Sequence, residues 1–247
     1  MRLFGIIGYP LSHSFSKPYF HNKFVKENIP NAEYHVFPIE NINDINSIVN
    51  KPELLGLSVT IPHKQAVIPF LDEVDETALK IGAVNCIKIS HHNNVTLLKG
   101  FNTDCIGFEE SLKPLLKPHH TNALILGTGG ASKAVAYVLN KLNIDFLFLS
   151  RTKSADAAIT YDELNEEFIT HNLLIVNTTP LGMYPNINNS PLLPYQHITE
   201  KHLLYDLIYN PAETEFLKQG KLQNAATYNG EKMLHLQAEA AWEIWND

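Results

Sequence analysis

Short apolar runs separated by polar segments predict strands and helices in alternation along the chain. "RLFGIIG", "EYHVFPI" and "GLSVTI" have the β-branched and aromatic residues of strands. Between the first two, "KPYFHNKFVKEN" places Tyr19, Phe20 and Phe24 on one face of a helix. "AVNCIKI" and "VTLLKGFN" predict two strands that pair across the turn "SHHNN". We expect these segments to form one α/β unit that ends near Asn102.

A second unit is predicted further along the chain. "NALILGTGGASKAVAYVLNKLNIDFLFLSRT" predicts strand, glycine turn, helix and strand, and "LLIVNTT" and "LLYDLIY" add two more strands. This alternation is typical of parallel sheets with crossover helices. The final segment, "EKMLHLQAEAAWEIW", predicts a helix too apolar to remain solvated, so we expect it to pack on the first unit. The predicted domains are residues 1–102 with 229–247, and residues 103–228.

The composition of the 247 residues, 45% hydrophobic and 18% charged, is typical of a soluble globular protein. A net charge of −7 argues against binding to nucleic acid or an anionic membrane, and no apolar run is long enough to span a bilayer. Two cysteines, Cys86 and Cys105, cannot form a disulfide framework, which favours a reduced cytoplasmic setting. The histidines show no metal-ligand spacing, so no metal site is expected.

The segment "LILGTGGASKA" is a candidate phosphate-binding turn. Gly127 and Gly129 come directly after a predicted strand and open a helix. Glycine there lets backbone N–H groups approach a pyrophosphate at the helix N-terminus. A tight turn without a ligand is the alternative for these residues alone. The order strand, turn, helix and strand favours a dinucleotide.

The end of the next strand distinguishes between two dinucleotides. NAD sites usually carry an acidic residue there, which binds the ribose 2′-hydroxyl. This chain has Ser150, Arg151, Thr152 and Lys153 instead. A guanidinium and a hydroxyl can hold a 2′-phosphate, so the sequence favours NADP over NAD. The alternative is a solvated pair of charges at a strand end.

Charged side chains follow two other predicted strands. Lys64 comes after Pro62, where a helix-like pattern begins. A lone lysine is usually solvated, but the carboxyl ends of parallel strands are also where open α/β sheets bind ligands. Asp104 lies between a strand and a helix and could simply cap that helix.

Four uncharged polar positions allow two interpretations each. Ser14 and Ser16 offer hydroxyls that can hold a carboxylate, although turn chemistry explains them equally well. Asn85 is at a helix-to-strand turn, where asparagine is common in any case. Gln237 shares a helix face with apolar residues and needs hydrogen-bond partners, for which a polar ligand is one candidate.

Together these segments resemble the shikimate dehydrogenase family. The matching motifs, in chain order, are "GYPLSHSFS", "SVTIPHK", "GAVNCI", "GFNTDCIGF", "LILGTGGASKA", "SRT", "NTTPLGM", "DLIYNP" and "YNGEKMLHLQAEAAWEIW". The resemblance implies two α/β domains around a cleft. The N-terminal substrate domain would bind shikimate, and a Rossmann-like domain would bind NADP(H).

The resemblance also implies roles for individual residues. Lys64 and Asp104 match the catalytic pair. The positions that match substrate contacts are Ser14 and Ser16 at the carboxylate, Tyr209 near it, and Thr60, Asn85, Asp104 and Gln237 at the hydroxyls. The positions that match cofactor contacts are Gly127, Gly129, Gly130 and Ala131 at the pyrophosphate, Arg151 and Thr152 at the 2′-phosphate, Thr178 and Met183 along the cofactor cleft, and Gly230 opposite the nicotinamide.

The implied reaction is the reversible NADPH-dependent reduction of 3-dehydroshikimate to shikimate, a step of chorismate and aromatic amino acid biosynthesis. Lys64 would exchange the proton, and Asp104 would hold its ammonium group in place. Two alternatives stay open: an enzyme of broader range that also accepts quinate, and a sensor that binds NADP without catalysis. We expect a cytoplasmic monomer or homodimer. Three departures from the family pattern are Lys17, which replaces a proline in the segment "HSFSKPYFH", Ser58, which stands where the family usually has asparagine, and a short segment after Arg151.

Overall fold

The computed structural model describes residues 1–11, 14–93, 95–153 and 159–247, and their strands form two six-stranded sheets. Each sheet belongs to its own unit. Unit 1 comprises Met1–Thr103 and Ala238–Asp247, and unit 2 comprises Asp104–Gln237. The predicted fold class of two α/β domains is confirmed. The assignment of residues 1–102 with 229–247 to the substrate, and of 103–228 to the cofactor, stays a prediction.

Unit 1 has a mixed sheet. Its elements in chain order are β1 (Arg2–Gly8), α1 (Ser16–Lys26), β2 (Ala32–Pro38), α2 (Asn46–Val49), β3 (Leu54–Val59), α3 (His63–Ala66), β4 (Glu73–Val74), α4 (Glu76–Ile81), β5 (Cys86–His92) and β6 (Val95–Phe101). The strand order is β2-β1-β3-β5-β6-β4. β1 is parallel to β2 and β3, whereas β5 is antiparallel to β3 and β6. The predicted pairing of the two strands across "SHHNN" is therefore confirmed.

Unit 2 has a parallel sheet. Its elements are α5 (Asp104–Leu112), β7 (Asn122–Leu126), α6 (Gly130–Lys141), β8 (Asp145–Ser150), β9 (Ile159–Thr160), α7 (Glu166–His171), β10 (Leu174–Asn177), β11 (Leu203–Asp206), α8 (Glu215–Leu222), β12 (Ala226–Tyr228) and the first turns of α9 (Glu231–Asn246). The strand order is β12-β11-β10-β7-β8-β9, with every pair parallel. In the short segment after Arg151, the described residues form β9, one 3₁₀ turn and the six-residue helix α7.

Each sheet contains a point between two adjacent parallel strands where the direction of chain progress reverses. In unit 1 the chain passes from β1 to β2 on one side and to β3 on the other, so the reversal lies between β1 and β3. In unit 2 it lies between β7 and β10. The crevice at the carboxyl ends of such strands is where open α/β sheets bind ligands, because the two connections leave in opposite directions.

The C-terminal part of α9 belongs to the core of unit 1. Ala238, Ala241 and Trp245 pack in one apolar cluster with side chains of β1 and α1. The Trp245 indole N–H donates to the carbonyl oxygen of Ile87 in β5 at 3.0 Å. Its ring occupies the space above Gly56, where a Cβ atom would lie 2.4 Å from Trp245 Cδ1. Across the described ranges, no helix is long and apolar enough to cross a membrane.

Candidate active site

The first group of candidate residues lies at the β1–β3 reversal of unit 1. Ile7 and Val59 are paired across the two strands, and the Thr60 backbone N–H donates to the Ile7 carbonyl at 3.0 Å. Thr60 and Lys64 follow β3, whereas Ser14 and Ser16 follow β1. The fold of unit 1 therefore gathers both segments at the carboxyl edge of the same two strands.

The backbone around Lys64 is held from two sides. His63 is buried, and its Nε2 atom makes a 2.8 Å hydrogen bond with the carbonyl oxygen of Ile39. The Lys64 carbonyl accepts a hydrogen bond from the Val84 backbone N–H at 2.7 Å. The short helix α3 is thus anchored at its start, with the half-buried Lys64 side chain in its first turn.

Asn85 comes directly before β5 and is held by the chain that leaves β6. Its carbonyl accepts from the Val59 backbone N–H at 2.7 Å, which sets it beside the end of β3. The Thr103 backbone N–H donates to Asn85 Oδ1 at 2.6 Å, and Asn85 Nδ2 donates to Thr103 Oγ1 at 3.0 Å. The orientation of this buried amide is therefore set by Thr103, a residue that sequence reasoning did not single out.

The two serines after β1 differ in their surroundings. Ser16 is the first residue of α1 and is 7% exposed. The Ser14 Oγ atom is buried and, among the described residues, has no hydrogen-bond partner. Ser12 and His13 lie outside the described residues. A buried hydroxyl that lacks a hydrogen-bond partner costs free energy. The Ser14 hydroxyl is therefore a candidate for a hydrogen bond to an oxygen of a ligand.

Asp104, Tyr209 and Gln237 belong to unit 2. Asp104 is buried at the start of α5, and Gln237 is half-buried in α9, where its Nε2 donates to the Leu234 carbonyl at 2.8 Å. Helices α5 and α9 touch at Gly107, where a Cβ atom would lie 2.5 Å from a backbone oxygen of α9. Tyr209 follows β11, and burial raises the pKa of its phenol.

The glycine turn after β7 has the form expected for a phosphate site. Gly127 has a φ of +100°, which glycine adopts without strain, and a Cβ atom there would lie 3.1 Å from Thr178 Oγ1. Among the described residues, no atom lies within 4 Å of the position that a Cβ atom at Gly129 would take, so the described part of the chain leaves open space there. The Ser132 hydroxyl donates to the Gly129 carbonyl at 2.6 Å and closes the first turn of α6. Gly130 and Ala131 open this helix.

Thr178 follows β10 on the other side of the unit 2 reversal. Its backbone N–H and its hydroxyl both donate to the Leu126 carbonyl, at 3.1 and 2.6 Å. Met183 is 45% exposed in the loop beyond. Gly230 is buried against the chain after β11, since a Cβ atom there would lie 2.1 Å from the Leu207 carbonyl oxygen.

The positive group expected at the end of β8 is exposed. Ser150 pairs with Thr160 across β8 and β9, and Arg151 and Thr152 follow as exposed residues. The adjacent Lys153 is an ion-pair partner of Glu163 at 2.6 Å. The guanidinium and hydroxyl thus lie at the carboxyl end of β8, where a 2′-phosphate would be bound.

Sequence reasoning missed a buried carboxyl group in unit 2. Asp206 ends β11, and burial raises its pKa to about 6 although three hydrogen bonds act in the opposite direction. The Thr214 hydroxyl donates to it at 2.6 Å, the Ile208 backbone N–H at 3.0 Å and Asn177 Nδ2 at 3.0 Å. Asn177 Oδ1 in turn accepts from the Thr179 backbone N–H. Asp206 therefore connects the loop after β10, which contains Thr178, with the loop after β11, which contains Tyr209. The only sequence signal was an acid at the end of an apolar run.

Comparisons with known proteins agree over nearly the whole chain. Residues 6–87 match the family model of the shikimate dehydrogenase substrate binding domain. The chain is 40% identical to the shikimate dehydrogenase (NADP(+)) of Methanosphaera stadtmanae, with 98% of this chain and 90% of that protein covered. It is also similar to the crystal structure of shikimate dehydrogenase from Aquifex aeolicus, with 36% identity, a TM-score of 0.86, and coverage of 100% and 92%. The Thermus thermophilus enzyme in complex with NADP(H) and shikimate has 28% identity, a TM-score of 0.86, and coverage of 99% and 93%.

Proposed function

The chain belongs to the shikimate dehydrogenase family, and we propose on that premise that it catalyses the reversible NADPH-dependent reduction of 3-dehydroshikimate to shikimate. It is an oxidoreductase that acts on a CH–OH group. The observation that supports this most strongly is the gathering of the family's substrate positions at the β1–β3 reversal of unit 1. Thr60 and Lys64 follow β3, Ser14 and Ser16 follow β1, and Asn85 lies beside the end of β3.

In the proposed site, hydroxyl groups hold the substrate's carboxylate. Ser14 and Ser16 donate to it, and the buried, unpartnered Ser14 Oγ supports this role among the described residues. The resemblance to the family implies that Tyr209 acts near the same group and that Thr60, Asn85, Asp104 and Gln237 bind the hydroxyls of the ring. A substrate held at both its carboxylate and its ring hydroxyls has its reacting carbon in one defined position.

Lys64 is the proposed general acid and base. When the ketone is reduced, its oxygen gains negative charge and takes a proton, which the Lys64 ammonium group donates. In the reverse direction the neutral amine removes that proton from the hydroxyl. The resemblance to the family implies that Asp104 pairs with this lysine and would hold its ammonium group in place. The backbone hydrogen bond between Val84 and Lys64 limits the movement of α3 during this exchange.

The residues of unit 2 fit a dinucleotide with a 2′-phosphate. The open space at Gly129 and the N-terminus of α6 suit a pyrophosphate, which would contact Gly127, Gly130 and Ala131. Ser150, Arg151 and Thr152 would bind the 2′-phosphate, and Thr178, Met183 and Gly230 would line the rest of the cofactor site. When bound, NADPH supplies the hydride.

We also infer a cytoplasmic enzyme that acts as a monomer or homodimer without a nucleic-acid partner. The net charge of −7 supports the absence of a polyanion partner. Cys86 and Cys105 are both buried free thiols, as expected in a reducing compartment.

The proposal is tested by measuring kcat/KM for shikimate and for quinate, each with NADP⁺ and with NAD⁺. We expect the highest value for shikimate with NADP⁺. A kcat/KM for quinate that equals or exceeds the value for shikimate would indicate the broader substrate range. Tight NADPH binding without reduction of 3-dehydroshikimate would instead indicate a protein that binds the cofactor without catalysis.

A further inference from the structure

The buried carboxyl group of Asp206 accepts hydrogen bonds from both sides of β11. Its Oδ1 atom accepts from the Ile208 backbone N–H and from Asn177 Nδ2, both at 3.0 Å. Its Oδ2 atom accepts from the Thr214 hydroxyl at 2.6 Å. Because Oδ1 receives a backbone N–H, it is an acceptor toward Asn177 as well, so the NH₂ group of the Asn177 amide must face it.

The orientation of the Asn177 amide in turn holds the loop after β10. Asn177 Oδ1 accepts from the Thr179 backbone N–H at 3.0 Å and from the Thr179 hydroxyl at 2.7 Å. The same hydroxyl accepts from the Leu181 backbone N–H at 3.3 Å. A Cβ atom on Gly127 would lie 3.0 Å from Thr179 Cγ2, so the Thr179 methyl group lies beside the glycine turn. A continuous set of contacts therefore connects Asp206 with the proposed pyrophosphate site.

The loop after β11 is held by the same carboxyl group. The hydrogen bond from the Ile208 N–H fixes the backbone two residues beyond Asp206. The Ile208 carbonyl then accepts from the Gly230 backbone N–H at 3.0 Å. A Cβ atom on Gly230 would lie only 2.1 Å from the Leu207 carbonyl oxygen, so the two segments are in close contact. The position of Gly230 thus depends on the loop that Asp206 holds.

We propose that Asp206 is a positioning residue, which holds the loops after β10 and β11 in the arrangement that binds the nicotinamide half of NADPH. This inference rests on the proposed function, in which Thr178, Met183 and Gly230 line that part of the cofactor site. The proposed 2′-phosphate site follows β8, which lies on the other side of β7 from β10 and β11. Binding of the adenine half should therefore not depend on Asp206.

The test compares the dissociation constants of NADPH and of adenosine 2′-monophosphate, measured by calorimetry. For Asp206→Ala we expect the Kd for NADPH to rise by roughly tenfold or more, because buried donors lose their acceptor and the loops must be ordered on binding. The Kd for adenosine 2′-monophosphate should stay within about twofold of the wild-type value. An equal loss of affinity for both ligands would show general damage to unit 2 and overturn the proposal.

Asp206→Asn is the conservative variant. Asparagine offers an acceptor oxygen to the Ile208 N–H and to Asn177 Nδ2, and its own NH₂ group can donate to the Thr214 hydroxyl. It should therefore restore most of the affinity for NADPH that Asp206→Ala loses. A Kd for NADPH as high as that of Asp206→Ala would show that this hydrogen-bonded geometry is not what matters, and would overturn the proposal.

Thr179→Val tests the connection through Asn177 even if Asp206→Ala does not fold. Valine keeps the shape of threonine beside Gly127 and removes only the hydroxyl, which bonds Asn177 Oδ1 and the Leu181 N–H. We expect the Kd for NADPH to rise by roughly three- to tenfold. A wild-type Kd would show that the loop is positioned without this set of contacts, and the proposal would be wrong.

Tyr205→Phe is the matched control. Tyr205 directly precedes Asp206 in β11 and is also buried, its hydroxyl bonds Ser111 at 2.7 Å, and its ring packs edge-on against Phe108. This variant removes one buried hydrogen bond from the same strand, and we expect the wild-type Kd for NADPH. A rise equal to that of Thr179→Val would show a general effect of packing around β11 and overturn the proposal.

The outcomes also separate this inference from the proposed function. If the wild-type protein reduces 3-dehydroshikimate and Asp206→Ala binds NADPH with the wild-type Kd, only the role of Asp206 is wrong. If the wild-type protein binds NADPH but does not reduce 3-dehydroshikimate, the proposed function fails, and the two dissociation constants still decide the role of Asp206. Thermal unfolding of each variant shows whether a loss of binding arises from loss of the fold.

Discussion

The carbonyl of Lys64 accepts a hydrogen bond from the backbone N–H of Val84 at 2.7 Å. Val84 directly precedes Asn85, so one main-chain bond connects the helix of the proposed acid with a proposed substrate contact. A main-chain bond survives substitution of either side chain. Variants at Lys64 therefore test chemistry with little change to the local fold.

Lys64→Ala should lower kcat by about 10²–10⁴-fold, because a positioned general acid contributes that much to proton transfer. The dissociation constant for NADPH, measured by fluorescence titration, should stay at its wild-type value. Lys80→Ala is the control, since Lys80 is an exposed lysine of unit 1 paired with Glu76. Near-wild-type turnover of Lys64→Ala would exclude the assignment.

Arg151→Ala should weaken NADPH binding by roughly 10- to 100-fold, since a charge-assisted hydrogen bond to the 2′-phosphate is lost. NADH binding should not change, because NADH has no such phosphate. Lys153→Ala is the control, because it removes an equal charge nearby. Lys153 forms an ion pair with Glu163 at 2.6 Å, so we expect this variant to keep the preference for NADPH over NADH. Equal losses for both dinucleotides in Arg151→Ala would contradict the assignment.

Gly129→Ala tests whether glycine is needed at this position for NADPH binding or for the stability of the fold. The backbone of Gly129 is extended, and an added Cβ would have no atom of the described ranges within 4 Å, so the free energy of unfolding should change by less than about 1 kcal/mol. NADPH binding should weaken strongly, because the added methyl group occupies the space for the pyrophosphate. Gly127→Ala, with φ at +100°, should instead destabilise the fold by about 1–3 kcal/mol. Wild-type NADPH affinity in Gly129→Ala would argue against a phosphate site.

Asp206→Asn should change how stability depends on pH. Burial raises the pKa of Asp206 from 3.8 to about 6, so the ionised form is disfavoured in the folded state. The wild-type protein therefore gains stability from this group as pH falls through about 6, and the gain is complete below the unfolded value of 3.8.

Asparagine keeps an acceptor for Asn177 and Ile208 but does not titrate. The free energy of unfolding of the variant, relative to that of the wild type, should therefore be higher at pH 8 than at pH 4 by roughly 2.5 kcal/mol. Urea unfolding at a series of pH values measures it. A difference that is constant with pH would show that Asp206 does not titrate in this range.

Local patterns were sufficient to predict much of the fold. The strand, glycine turn and helix around Gly127 are contiguous in the chain, and so are the two strands that pair across "SHHNN". The family and the NADP(H) cofactor were predicted from motifs of the same local kind, and the relatives confirm both. The roles of the individual site residues stay predictions.

Contacts between distant segments were not predictable in this way. Tyr34 and Ser58 are 24 residues apart, and Asn177 and Asp206 are 29 apart, so no periodicity connects them. Such pairs depend on the order of strands in each sheet, which apolar patterns do not encode. The hydrogen-bond partner of Ser58 in β2 was therefore not predictable from the sequence.

Unit 1 is built from two separate stretches of chain, whereas unit 2 is one continuous stretch. During translation, unit 2 is complete once Gln237 has emerged from the ribosome. The core of unit 1 must wait for Trp245, which fills the space above Gly56. Domains made of one stretch usually fold in the order in which they are synthesised. Here the order is inverted: the unit that begins the chain is the later one to be completed, and until then the apolar surface that Trp245 covers stays uncovered.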